Sequence, residues 1–174
     1  MNIEENETIF VLDTNILIES AYWYPFEFFP EFWQVMEKLL KEGRWILLDV
    51  VEQEIGGPKK LKKWINTQKV NGLVNKITDE VRSLAAEIND QYQIIDGIKS
   101  QADAYIIAFS KINGCTLFTR EGHRKMPSDI YKIPDVCDIL AIKYIRYVKD
   151  FIRSVGFEIK FLDPNIKLEP IKIV

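Results

Sequence analysis

Asp13, Glu54, Asp103 and Glu121 are the residues whose types and positions could do chemistry. Asp13 ends the apolar run Ile9-Phe10-Val11-Leu12 and is followed by Thr14-Asn15. Such a run reads as a short buried strand, and a carboxylate where the strand stops is well placed to hold a cation. In open α/β sheets, ligands bind beyond the carboxyl ends of the strands. The plainer reading is that Asp13 caps the helix predicted to start at Thr14. Glu54 sits three and four residues beyond Val51 and Val50, so on a helix it shares their apolar face, whereas Glu52 points to solvent. Asp103 lies in the first turn of a helix that is apolar almost all round, where an acid needs a partner. Ser100-Gln101-Ala102-Asp103 also fits a capping box, which would explain Asp103 without catalysis. Glu121 follows the apolar run Cys115–Thr119 by two residues, and it also fits an ordinary acid beside a glycine turn. Asp135, after Pro134, reads as a helix-start acid that favours the dipole.

Acids converging on one sheet edge would repel unless a cation neutralised them. Hard oxygen ligands select Mg²⁺ or Mn²⁺ over zinc. Such ions activate water and stabilise the leaving oxygen in phosphodiester cleavage. The rest of the composition leaves little else. The single histidine, His123, rules out His-rich zinc sites, and no C-x-x-C pair is present. No nucleophile motif accompanies His123, and no glycine-rich phosphate loop occurs.

These acids must be positioned by the elements around them. The 174 residues, 47% apolar and 28% charged, fit a single globular domain over 1–174, with residues 157–174 as an extension of undetermined structure. Strands are predicted near 8–13, at 45–48 and at 115–119, with a last one at 142–145. Helices are predicted from Pro30 to Gly43, after residue 49, in part of 58–76, at 78–92, from Ser100 to Ile112, at 135–140, and before Gly156. Strands separated by helices imply a three-layer α/β/α sandwich with a mainly parallel central sheet. No stretch is apolar enough for a membrane span. Cys115 and Cys137, two scattered thiols without an export signal, point to a cytoplasmic setting and to buried apolar roles.

The motifs resemble the PIN-domain ribonuclease family. The resemblance rests on VLDTNILI at 11–18, VEQEI at 51–55, ADAYIIA at 102–108 and LFTREG at 117–122. KIPDVC at 132–137, with the YWYPF segment near the start, is similar to a VapC-like toxin subfamily long described as of unknown function. The resemblance implies Mg²⁺- or Mn²⁺-dependent RNA hydrolysis that leaves 5′-phosphate and 3′-hydroxyl ends. It assigns Asp13, Glu54 and Asp103 to the first three acidic positions. Glu121 stands where an aspartate is usual. Asn15 matches the residue that orients the first acid or a metal water, and Thr119 the hydroxyl beside the metal. It also implies an antitoxin partner and a homodimer.

Two further features bear on partners. Residues 57–76 hold six lysines and no acid, including Lys59, Lys60, Lys62 and Lys63. They read either as a solvated helix or as a phosphate-contacting arm on a chain of net charge −3. Arg120, His123, Arg124 and Lys125 form a second basic group beside Glu121. Residues 22–33 hold eight aromatics, which read as core or, where exposed, as a protein interface or a stacking surface for single-stranded RNA. Two other classes of function compete with the nuclease. One is a PIN-like scaffold whose site has drifted, and the other an aspartate-based phosphatase. The phosphatase would need a second aspartate where this chain has Asn15.

Overall fold

The computed structural model describes residues 8–94 and 101–154. Among them, five short strands form one sheet: β1 (Phe10–Leu12), β2 (Trp45–Leu48), β3 (Val74–Asn75), β4 (Thr116–Phe118) and β5 (Tyr144–Ile145). They pair in the order β3-β2-β1-β4-β5, and every neighbouring pair is parallel. The helices are α1 (Thr14–Trp23), α2 (Pro30–Lys41), α3 (Asp49–Glu54), α4 (Lys59–Val70), α5 (Asp79–Tyr92), α6 (Gln101–Asn113), α7 (Ile133–Ile139) and α8 (Val148–Ser154).

Every residue of β1 and β4 is buried, as strands covered on both faces require. The register places Phe10, Trp45 and Phe118 on one face, because Phe10 pairs with Trp45 and Leu12 with Phe118. Phe151 of α8 packs on all three, with ring centroids 5.3 Å from Phe10 and Phe118 and 5.9 Å from Trp45. Val11 and Leu117 point to the opposite face and are also fully buried. Right-handed crossovers put the β1-to-β3 connections over one face and the β3-to-β5 connections over the other. The sheet is thus flanked by helices, as the alternating sequence pattern implies. Gly43 and Gly114, at φ +67° and +65°, take the left-handed turns that follow α2 and α6.

The chain winds outward from β1 through β2 to β3, then returns to the other side of β1 to form β4. The switch therefore falls between β1 and β4. At such a point the loops leave in opposite directions and open a crevice at the carboxyl ends of the strands. Asp13 and Thr119 are the first residues beyond those two ends.

The sequence reading departs from the fold at Val74–Asn75, where a strand interrupts a stretch expected to be helical in part. Two residues carry no readable period, although Asn71-Gly72 just before them is a turn signal. Glu52, expected to be solvated, is partly buried and paired with Lys69 at 2.9 Å. Ser100 and the tail 157–174 lie outside the described residues.

The aromatic block divides. Tyr24 stacks on Phe32 at 4.4 Å, Phe26 on Trp33 at 4.0 Å, and Trp33 meets Trp64 edge-on at 5.1 Å. This cluster fastens α4 to α2. Tyr22, Trp23, Phe28 and Phe29 remain exposed. Cys115 and Cys137 are buried free thiols, as expected of small apolar residues.

Candidate functional site

Asp13 is both a helix cap and a member of the crevice. Its backbone is extended, so the chain can turn from β1 into α1, and its Oδ1 accepts from the Asn15 amide at 3.3 Å. Its Oδ2 accepts from Thr119 Oγ1 at 2.7 Å, across the switch between β1 and β4. Thr119 Oγ1 in turn accepts from the Glu121 amide at 3.0 Å, which fixes the start of the loop after β4. Asp13 is 2% exposed and Thr119 fully buried, while Asn15 faces solvent.

Glu54 ends α3 and points into the same region. Its Oε2 accepts from Thr14 Oγ1 at 3.1 Å, and its Oε1 from the Ala102 amide at 2.8 Å. Glu54 therefore ties the first turn of α1 to the first turn of α6. This long-range contact, rather than the apolar face of α3 alone, explains why an acid stands there. Glu121 Oε2 accepts from the Ile133 amide at 3.1 Å, and its Oε1 lies 3.8 Å from Lys132 Nζ. Asp135 is the helix-start acid expected: its Oδ2 accepts from the amides of Lys132 and Arg124.

Asp103 differs from the other three. Among the described residues no hydrogen-bond donor reaches its carboxylate. Burial pushes its carboxyl up to about 9, helped by the charges of Asp13, Glu121 and Glu54 and opposed by Lys132. Burial also pushes Asp13 up to about 6, against the Thr119 and Asn15 hydrogen bonds that favour its charged form. The four acids thus share one electrostatic neighbourhood at the carboxyl edge of the sheet. A strongly raised acid, buried and set among other carboxylates, marks a candidate functional site.

Among the described residues no three Asp, Glu, His or Cys side chains stand close enough to enclose an ion as they are. Asp13, Glu54 and Glu121 each have an oxygen engaged by a backbone amide, whereas no donor among the described residues engages Asp103. A hard cation that keeps several of its waters needs only one or two carboxylates in direct contact. The acids that could hold such an ion are the four whose charges act on one another here, Asp13, Glu54, Asp103 and Glu121.

Two side chains at the site escaped the sequence reading. Thr14 is buried and donates to Glu54, and Lys132 is the cation nearest Glu121 and Asp103. Thr14 could have been found as the neighbour of Asp13, and Lys132 opens the KIPDVC segment, though nothing in the sequence turns it towards Glu121. The basic residues named as RNA contacts are partly committed elsewhere. Arg120 pairs with Glu19, and Arg124 stacks 3.9 Å over the Tyr131 ring while donating to Pro127 O. Lys60 pairs with Glu27, leaving Lys59, Lys62 and Lys63 exposed on α4 without an ion pair among the described residues. His123 bonds Asp138 at 2.8 Å.

No curated protein matches the sequence significantly. Among solved structures, one match is the crystal structure of VapBC2 from Rickettsia felis bound to a DNA fragment from their promoter. The identity is 18%, over 66% of this chain and 88% of that one, with a TM-score of 0.40, too slight a likeness to carry an argument. A family model described as "Domain of unknown function (DUF4411)" matches residues 10–159, a span that contains Asp13, Glu54, Asp103 and Glu121, and the chain belongs to that family.

Proposed function

We propose that this chain is a Mg²⁺- or Mn²⁺-dependent endoribonuclease of the PIN type, and the toxin of a toxin–antitoxin pair acting in the cytoplasm. The observation that carries the reading is Asp103. It is a partly buried acid with no donor among the described residues, pressed by three other carboxylates at the switch point of a parallel sheet. Such an arrangement is costly for a protein that binds nothing there, and it is relieved by a divalent cation. The motif resemblance supports the same conclusion independently of the geometry.

Asp13 and Asp103 would hold the cation, and Glu54 and Glu121 would orient its waters. When bound, the ion supplies the positive charge that phosphodiester cleavage needs and lowers the pKa of an attacking water. Thr119 keeps Asp13 oriented by donating to one oxygen, leaving the other lone pairs for the cation. Asn15, exposed beside Asp13, would orient Asp13 or a water of the ion. Lys132 is placed to offset charge on the scissile phosphate and on Glu121.

The exposed aromatics Tyr22, Phe28 and Phe29 offer a surface for a hydrophobic segment of an antitoxin or for a second copy of this chain. A drifted scaffold is the competing reading, favoured by the backbone amides that engage Glu54 and Glu121. The phosphatase reading has no support, because Asn15 cannot serve as the acid partner of a nucleophilic Asp13. Incubating the chain with single-stranded RNA in Mn²⁺ separates the two remaining readings. Cleavage that EDTA stops, and that Asp13→Asn abolishes while the circular-dichroism spectrum is kept, supports the nuclease. Metal-independent cleavage, or none, overturns it.

A further inference from the structure

A second cleft lies at the same edge of the sheet, beyond β4 and β5. It has a volume of about 360 Å³ and is lined by Trp23 at the end of α1, Glu19, Arg120, Tyr147 and Lys149. Its cations Arg120 and Lys149, with Arg146 just outside the lining, are arranged about one ring. The guanidinium of Arg120 lies 6.0 Å from the centroid of Tyr147, that of Arg146 5.7 Å, and Lys149 Nζ 5.2 Å. Glu19 pairs with Arg120. Among the described residues no acid pairs with Arg146 or Lys149, and the Arg146 Nε is buried without a hydrogen-bond partner. Three cations drawn to one aromatic ring with one counter-charge repel one another unless an anion joins them. Trp23 and Tyr147 are 71% and 46% exposed, so large ring surface stands open beside those cations.

The cleft is close to the acids. Arg120 directly follows Thr119, which bonds Asp13, and β5 is the neighbour of β4 in the sheet, about 4.8 Å away. Arg146 also reaches the loop that carries Glu121, since a Cβ on Gly122 would lie 3.1 Å from its Nη2. The cluster of acids and this basic cleft therefore share one edge, one strand apart.

We propose that this cleft binds an unpaired nucleotide of the RNA next to the cleaved phosphodiester. Arg146 and Lys149 take its phosphate, and Tyr147 and Trp23 stack its base. The inference rests on the nuclease reading and names the form of its substrate. Stacking on an aromatic needs a base that is free of a duplex, so the cleft selects single strands. Arg120, already neutralised by Glu19, contributes less than the other two cations.

The test uses the full chain and a fluorescein-labelled twelve-nucleotide single-stranded RNA, with the same RNA in duplex form as the control. Anisotropy in EDTA reports binding, and cleavage in Mn²⁺ reports chemistry. Tyr147→Ala should weaken single-strand binding by roughly tenfold and Tyr147→Phe should restore it. Arg146→Gln with Lys149→Gln should flatten the salt dependence by roughly 0.7 in log–log slope for each phosphate no longer engaged. Both changes should raise KM by a larger factor than they lower kcat, since the residues bind substrate and bond none of the acids. Duplex affinity should not respond to Tyr147→Ala. If wild type cleaves RNA but these variants bind and cleave as it does, the cleft proposal fails and the nuclease reading stands. If wild type binds single strands through the cleft but never cleaves, the nuclease reading fails and the binding site is supported. If wild type binds no RNA, the proposal is overturned and the cleft is left to an acidic peptide.

Discussion

Replacing Asp103 with asparagine should stabilise the metal-free protein, the opposite of what a buried structural acid would do. Asp103 has its carboxyl pushed from 3.8 to about 9, so the folded chain holds a proton that the unfolded chain releases between those values. The contribution of this group to stability is complete below pH 3.8 and is lost as pH rises towards 9. At pH 7 about three units of that interval have been crossed, and at 1.36 kcal/mol per unit the ceiling is about 4 kcal/mol. Partial exposure and the unsatisfied amide of the asparagine reduce the gain to about 2 kcal/mol. Urea unfolding in EDTA at pH 5 and pH 7 measures it. Wild type should lose stability between the two values, and Asp103→Asn should lose less and be the more stable at pH 7. Saturating Mn²⁺ should reverse that order, because only wild type gains from binding. A variant that is less stable than wild type at pH 7 in EDTA, with the same pH slope, would refute the electrostatic reasoning.

Other changes probe the surroundings of the acids. Thr119→Val removes the hydroxyl that donates to Asp13 and accepts from the Glu121 amide. It should cost about 1–3 kcal/mol in urea and lower RNA cleavage by at least about tenfold, and retained activity would show that Asp13 needs no orienting donor. Changing Lys59, Lys60, Lys62 and Lys63 together to glutamine should weaken RNA binding and flatten its salt dependence, again by roughly 0.7 for each phosphate released. Lys60, paired with Glu27, should contribute least, and an unchanged slope would leave α4 a solvated helix.

The strands that bear the site were legible because they are buried on both faces. Phe10–Leu12, Trp45–Leu48 and Thr116–Phe118 form continuous apolar runs, and an acid or hydroxyl just beyond such a run stands out. The order of the strands was not legible, yet it is the order that joins Asp13 to Thr119 across 106 residues. Asp13 shows why local reasoning left two readings open. The same carboxylate caps α1 through one oxygen and bonds Thr119 through the other, so both readings hold. Glu54 was visible through its position on α3, but its partners, Thr14 and the Ala102 amide, come from distant segments. Lys132 opens the KIPDVC segment, but nothing there shows that it faces Glu121, and Arg146 and Lys149 carry no periodic or motif signal. Only the placement of β5 beside β4 brings Arg146 and Lys149 to the site.

Calorimetric titration of Mn²⁺ into the metal-free chain at about pH 7.5 tests the central claim most directly, since it reads the cation itself rather than RNA cleavage. Wild type should bind the ion, and Asp13→Asn and Asp103→Asn should each weaken binding by at least about tenfold while keeping the fold. Glu121→Gln should have the milder effect, since Lys132 already offsets part of its charge and the Ile133 amide engages its other oxygen. Undiminished Mn²⁺ binding by Asp103→Asn, or none by wild type, would contradict the assignment of these acids to a metal centre.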